Sequence, residues 1–300
     1  MSIVVVGSVA FDTIETPGRR VDRALGGSAT YFSVAASCFV PVGLVAVVGD
    51  DFLDDHRAVL VSRGIDLEGL AVVKGGKTFF WHGRYGLDPN ERESIATELN
   101  VFENFRPELP SSYRDRKWIF LGNIDPEIQL EVLEQSSGES FIGCDTMNYW
   151  IDRKPEGLRE VLKRTDMLFV NDEEARFLSG KSNLVKAGKE ILKMGPRGVI
   201  VKKGEHGAFL LMDDFIFYAP AYPLEDVTDP TGAGDSFAGG FMGALAAAGE
   251  PKGETFRKAM VFATASASFT CQDFSIDGLK NLTREKLEER AGELAGLVAV

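Results

Sequence analysis

From residue 117 onward the sequence repeats one pattern: a short unbroken apolar run, then an amphipathic stretch. The apolar runs cover residues 118–121, 141–144, 167–170 and 199–201, and the amphipathic stretches cover 126–135, 155–164, 172–178 and 184–194. A strand covered by helices on both faces has no polar side, so it reads as a continuous apolar run, and parallel sheets are built from such strands. The alternation predicts an α/β fold with a mostly parallel central sheet and helices on both faces. The N-terminal part joins it. Residues 3–6 are β-branched and stop at Gly7, 30–39 has helical spacing after Gly26-Gly27-Ser28, 44–48 reads as a second buried strand, and 52–63 is amphipathic up to Gly64.

Two stretches break the rhythm, 13–25 and 70–102. In the second, Phe79, Trp81, Gly83 and Tyr85 alternate with Phe80, His82, Arg84 and Gly86. Alternation at period two means strands with two different faces. These pieces predict a small antiparallel β lid on one α/β domain spanning 1–300; a pair of surface hairpins is the competing reading. The glutamates 285, 288, 289 and 293 belong to a late helix with a solvated face.

The chain is acidic: 33 Lys and Arg against 45 Asp and Glu give a net charge of −12. That excludes a general nucleic-acid surface, which needs clustered cations. It leaves room for an anion site made of backbone amides. Cys38, Cys144 and Cys271 are odd in number and far apart, and the three histidines are scattered, so neither a disulfide framework nor a zinc site is indicated. The N-terminus lacks the basic flank of a signal peptide, and the apolar stretch 236–248 is too short to span a bilayer. The expectation is a cytoplasmic protein.

Chemistry concentrates at 229–247, Asp-Pro-Thr-Gly-Ala-Gly-Asp-Ser-Phe followed by a helix-prone run. Glycines let backbone N–H groups approach a ligand, and the first N–H groups of a helix have no internal partner and carry partial positive charge. Gly232, Ala233, Gly234 and Asp235 thus form a candidate phosphate cradle, with Asp235 placed to take a proton from an attacking hydroxyl. The competing reading is a helix cap with packing glycines.

The segment Asp229-Pro-Thr-Gly-Ala-Gly-Asp-Ser-Phe resembles the C-terminal signature of the ribokinase-like, PfkB-type carbohydrate kinase family. Three more segments agree in order: Gly26-Gly27-Ser28-Ala29-Thr30, Val170-Asn171-Asp172-Glu173-Glu174, and Val201-Lys202-Lys203-Gly204-Glu205-His206-Gly207-Ala208. The similarity runs from Gly7 to about Leu279. It implies a ribokinase-like fold and transfer of the γ-phosphoryl group of ATP to a hydroxyl, with Asp235 as base and the Gly232–Gly234 amides stabilising the transferring group. It assigns Asn171 and Glu174 to Mg²⁺ through water, and one of Lys202 and Lys203, with Gly204 and Gly207, to the nucleotide side. Thr264 falls on the helix that resembles the adenine-side helix. On the acceptor side it implies Asp12, Gly26, Gly27 and Ser28, and Asn123 stands at a strand end where open α/β sheets place ligands. Phe80, Trp81, His82 and Tyr85 are lid candidates for covering a substrate or packing a homodimer.

Two departures stand out. Pro230 replaces a frequent threonine. Asp145-Thr-Met-Asn148 matches only part of the Asp-x-Asn-x-Arg pattern, which leaves that stretch without a substrate role. Gly75-Gly76-Lys77-Thr78 is no P-loop, since alanine stands at 71. No dinucleotide fingerprint follows the first strand, and no Gly-x-Ser-x-Gly elbow exists. A small-molecule kinase acting on a hydroxyl of a sugar or sugar-like acceptor is the leading reading, with a nucleoside kinase of the same family as an alternative. A catalytically silent sugar- or nucleotide-binding relative is the alternative from another class. A sugar or a nucleoside as acceptor, and a monovalent-cation requirement, stay open.

Overall fold

The computed structural model describes residues 1–298. Its strands are β1 (Ile3–Val6), β2 (Ala10–Thr16), β3 (Arg19–Gly26), β4 (Val42–Gly49), β5 (Ile65–Val73), β6 (Phe79–Tyr85), β7 (Arg92–Glu98), β8 (Trp118–Leu121), β9 (Phe141–Asp145), β10 (Met167–Asn171), β11 (Gly198–Lys202), β12 (Ala208–Met212) and β13 (Ile216–Ala219). The large sheet has the order β13-β12-β11-β10-β9-β8-β1-β4-β5. It is parallel from β5 to β11 and antiparallel for the last two strands.

The apolar runs explain why this sheet is covered twice. Alternate side chains enter two separate cores. Ile3, Val5, Trp118, Phe120, Phe169 and Ile200 pack with Phe32, Phe241 and Phe256 from the helices Ser28–Ala36, Ala233–Ala248 and Gly253–Thr270. Val4, Val6, Ile119, Leu121, Val170 and Val201 pack with Val132, Leu158, Ala175 and Ile191 from the helices Pro126–Gln135, Pro155–Leu162, Asp172–Ser179 and Leu184–Leu192. Among the described residues no helix is long and apolar enough to cross a membrane.

The small sheet has the order β3-β2-β6-β7. Two antiparallel hairpins, β2–β3 and β6–β7, join along a parallel β2–β6 pair. Its boundaries differ from the expected ones. Residues 70–73 pair with β4 in the large sheet, so the second excursion supplies lid strands only from Phe79, while the first extends out to Ala10 and Gly26. β5 is an edge strand with exposed positions between buried ones, which in sequence has the same alternation as a lid strand.

Asp51 ties the lid to the large sheet. Its carboxylate accepts from the Thr78 amide at 2.8 Å, the Thr78 hydroxyl at 2.6 Å and the Arg23 guanidinium at 2.8 Å. One side chain at the end of β4 therefore holds both excursions.

Candidate active site

The loop 229–232 and the start of the helix Ala233–Ala248 form one wall. Asp229 is fully buried, and its carboxylate accepts from the Thr231 amide at 2.8 Å and the Ser275 amide at 3.1 Å. Gly232 caps the helix with φ +75°, and a Cβ there would overlap the Tyr31 ring. No other residue type fits both demands. Ala233, expected among the cradle amides, donates instead to the Pro230 carbonyl at 3.1 Å. Pro230 costs the loop nothing, because its role there is that of an acceptor. The cradle is left with the amides of Gly232, Gly234 and Asp235.

Asp145, Lys202 and Arg92 place their charges around the carboxyl of Asp235. Burial raises the Asp235 carboxyl to about 7; the Asp145 charge adds to this, and Lys202 and Arg92 oppose it. Lys202 comes from the end of β11 and donates to Asp145, from the end of β9, at 3.2 Å. Its Nζ lies 3.1 Å from where a Cβ on Gly234 would stand. Lys203 turns the other way, with its ammonium 5.6 Å from the centre of the Phe209 ring. Of the two lysines, Lys202 is the one that points toward Gly234.

Asn171 and Glu174 form a reciprocal capping box. The Glu174 amide donates to Asn171 Oδ1 at 2.8 Å, and the Asn171 amide donates to Glu174 Oε2 at 2.7 Å. Capping and burial coexist here. The Glu174 carboxyl is pushed up to about 7, chiefly by desolvation, with the Lys202 charge acting against it. Among the described residues no three His, Cys, Asp or Glu groups stand in metal-holding geometry. Isolated hard carboxylates beside an anion cradle fit Mg²⁺, which retains several waters and uses few protein ligands. They do not fit an all-protein cage.

On the opposite wall Asp12 is buried on β2. Desolvation raises its carboxyl to about 8, helped by Asp229 and, less, by Asp235, and opposed by the Gly27 amide. Gly26 has no Cβ where the Asp12 carboxylate lies, and Gly27 turns with φ +94° against the backbone of Ser8 and Ala10. The Ser28 amide donates to Ser8 Oγ at 3.0 Å, and the Ser8 amide donates to Ser28 Oγ at 3.2 Å. Asn123 is adjacent to Gly122, whose missing Cβ would lie 2.9 Å from Ser28 Oγ. Its carbonyl accepts from the Trp150 indole at 2.9 Å, which fixes the orientation of the amide and leaves its nitrogen and one oxygen lone pair for a ligand.

The aromatic lid residues divide between two faces. Trp81 pairs in register with Asp12 and shares its face, and Gly83 leaves room for the indole to lie across it. Tyr85, on the same face, accepts from the Thr231 hydroxyl at 3.0 Å. Phe80 and His82 are on the outer face, with Glu15, Arg20 and Arg84. At the lid tip Asn90 lies against Gly204, one of the two positive-φ glycines of the turn between β11 and β12. The other, Gly207, leaves space for the Ala219 carbonyl and so serves strand passage. Thr264 is buried with an unpartnered hydroxyl, on a helix packed closely where Ser266 meets Gly240. A surface cavity of about 560 Å³ bounded by Val47, Val73, Val101 and Arg106 contains none of these groups.

Asp145, Asp229 and Arg92 carry no site role in the sequence reading, and Tyr85 is there only a lid candidate. Asp145 had one signal, a carboxylate at a strand's C-terminal end. Tyr85 was visible only as part of an aromatic alternation.

A model of the pfkB family of carbohydrate kinases matches residues 1–278. A cytidine kinase of Thermococcus kodakarensis is 31% identical over 252 residues, covering 81% of this chain and 87% of that one. The fold is that of the nucleoside kinase of Methanocaldococcus jannaschii, with a TM-score of 0.78 at 23% identity over 97% of this chain and 98% of the other. A putative ribokinase II from E. coli, solved with ATP and Mg²⁺, superimposes with a TM-score of 0.80 at 19% identity, covering 97% and 99% of the two chains.

Proposed function

Because the chain belongs to the pfkB family of carbohydrate kinases, we propose that it transfers the γ-phosphoryl group of ATP to a hydroxyl of a nucleoside, with Asp235 as the base. The observation that carries this reading is the meeting of two walls. The Thr231 hydroxyl of the glycine loop donates to Tyr85 of the lid at 3.0 Å, and Asp12 lies on that same lid face in register with Trp81, so the lid face that carries Asp12 closes on the loop that leads to Asp235. Trp81, in register with Asp12, offers a flat apolar surface suited to a base, and the likeness to a cytidine kinase supports a nucleoside over a free sugar.

Asp12, Gly26, Gly27 and Ser28 orient the acceptor. A carboxyl raised to about 7 has a proton affinity suited to general-base work near neutral pH. Asp235 takes the hydroxyl proton as the oxygen attacks. The amides of Gly232 and Gly234 and the Lys202 ammonium offset the charge on the transferring oxygens. Bound Mg²⁺, held by Asn171 and Glu174 through water, would neutralise phosphate charge. Gly204, Gly207 and Thr264 complete the nucleotide side.

ADP release with ribose, fructose, ketodeoxy acids, inositol, adenosine, inosine and cytidine tests the reading. A nucleoside should give the highest kcat/KM. A sugar favoured tenfold would make this a sugar kinase, and binding without turnover on every acceptor would make it a sensor. Adding K⁺ to the same assay reads out the monovalent-cation requirement, and mass in solution reads out a homodimer through the lid.

A further inference from the structure

Lys202 is a flexible side chain brought into a crowded place. Only 17% of it is exposed, and it reaches the helix start where Gly234 has no side chain. A lysine gains little orientation from its own rotamers, since its four-carbon stem turns freely and ordering it costs entropy. Asp145 supplies that orientation. Its Oδ2 takes the Lys202 ammonium at 3.2 Å, while its Oδ1 takes the Thr146 amide at 2.8 Å. Its main-chain carbonyl accepts from Gln129 Nε2 at 3.1 Å, and the same nitrogen donates to the Gly122 carbonyl at 2.9 Å. Asp145 is thus fixed from three directions, and Lys202 from one.

We propose that Asp145 is a positioning residue: it parks the Lys202 ammonium against Gly234 and releases it to a phosphate oxygen when nucleotide enters the cradle. The inference rests on the reading of Gly232–Asp235 as the phosphate cradle. It gives Asp145 a function that its partial match to the family pattern did not. Asp145 needs no contact with either substrate, because it acts through the lysine.

A double-mutant cycle tests this, because a residue acting only through another loses its effect when the other is gone. The four proteins are wild type, D145N, K202M and the double variant, assayed for ADP release against ATP at saturating acceptor. K202M should lower kcat/KM for ATP by about 10²-fold. D145N should lower it by about tenfold in the wild-type background, chiefly in kcat, and by less than twofold in the K202M background. K202R should recover part of the loss. An equal cost of D145N in both backgrounds, or no cost in either, overturns the proposal. If wild type releases no ADP with any acceptor, the nucleoside-kinase reading fails by itself. The cycle is then run on the melting shift produced by MgATP, where the same non-additivity is expected and additive shifts, or no shift at all, overturn the proposal.

Discussion

The wall that carries Asp235 and the lid that faces it are both rich in charge, yet the charges behave differently. On the donor wall Asp145, Glu174 and Lys202 stand in a water-poor space, and the carboxyls of Glu174 and Asp235 rise to about 7. On the outer face of the lid Glu15 meets Arg20 at 2.6 Å, Arg84 at 2.7 Å and His82 at 3.0 Å, and its carboxyl is held below its ordinary value by those partners. Desolvation dominates in the first place and pairing in the second. Charges near the cradle are coupled and hard to replace. Charges on the lid's exterior are screened and replaceable.

The largest effect should come from the donor wall. Asp235→Asn should lower kcat by about 10²–10⁴ in the ADP-release assay with no loss of melting temperature; turnover within about threefold of wild type would remove Asp235 from the role of base. The pH profile follows from the sign of its shift. The base must be unprotonated, so kcat/KM should fall tenfold per unit below a pH of about 7.

A smaller effect belongs to the seam between the two regions. Tyr85→Phe removes the hydrogen bond from Thr231 and keeps the ring. One net hydrogen bond corresponds to roughly two- to tenfold, and the loss should appear in kcat/KM for the acceptor more than for ATP. Equal losses for both substrates would mean that the seam serves the cradle and not the lid.

Asp12 gives a comparison between stability and function. Its carboxyl titrates near 8 in the folded chain against an ordinary 3.8, so the folded state binds the extra proton between those values. Stability from this group is therefore present at low pH and lost as pH rises toward 8. Asp12→Asn should flatten that part of the dependence and raise the melting temperature at pH 8, while weakening acceptor binding. An unchanged melting curve at pH 8 would show that Asp12 is not buried without a partner in the absence of substrate. The smallest effect is expected from Glu15→Gln, with activity within twofold and a melting shift within about 2 °C. A larger loss would break the contrast between the two regions.

The sequence was most readable where one physical demand governs a segment. The bounds of β1 and β8 agree with the expected ones because both strands are apolar on both faces. The helix Pro126–Gln135 agrees because Asp125 caps it and Pro126 opens it. Gly232, singled out for a tight turn, has φ +75°, and Gly27, singled out by its glycine-pair motif, has φ +94°. β5 was harder, since an edge strand of one sheet has the pattern of a strand in another. The Lys202–Asp145 pair was not readable at all. Its residues are 57 apart, and they meet only because β9 and β11 flank β10 in the same sheet with their ends at one edge. The contact of Tyr85 with Thr231 spans 146 positions and depends on how the lid leans.

The lid leaves the large sheet twice and returns twice: from β1 into β2, from β3 into the helix Ser28–Ala36, from β5 into β6, and from β7 into the turn Asn100–Asn104. A flap on one hinge can swing and twist. A plate tethered at four points, with β2 and β6 bonded side by side across its middle, has its position set by the large sheet at every tether. Its tip rests on the large domain twice more, through Asn90 against Gly204 and through Tyr85, which accepts from Thr231. The two segments 203–207 and 229–232, which lie far apart in the chain, are therefore both held by the β6–β7 hairpin.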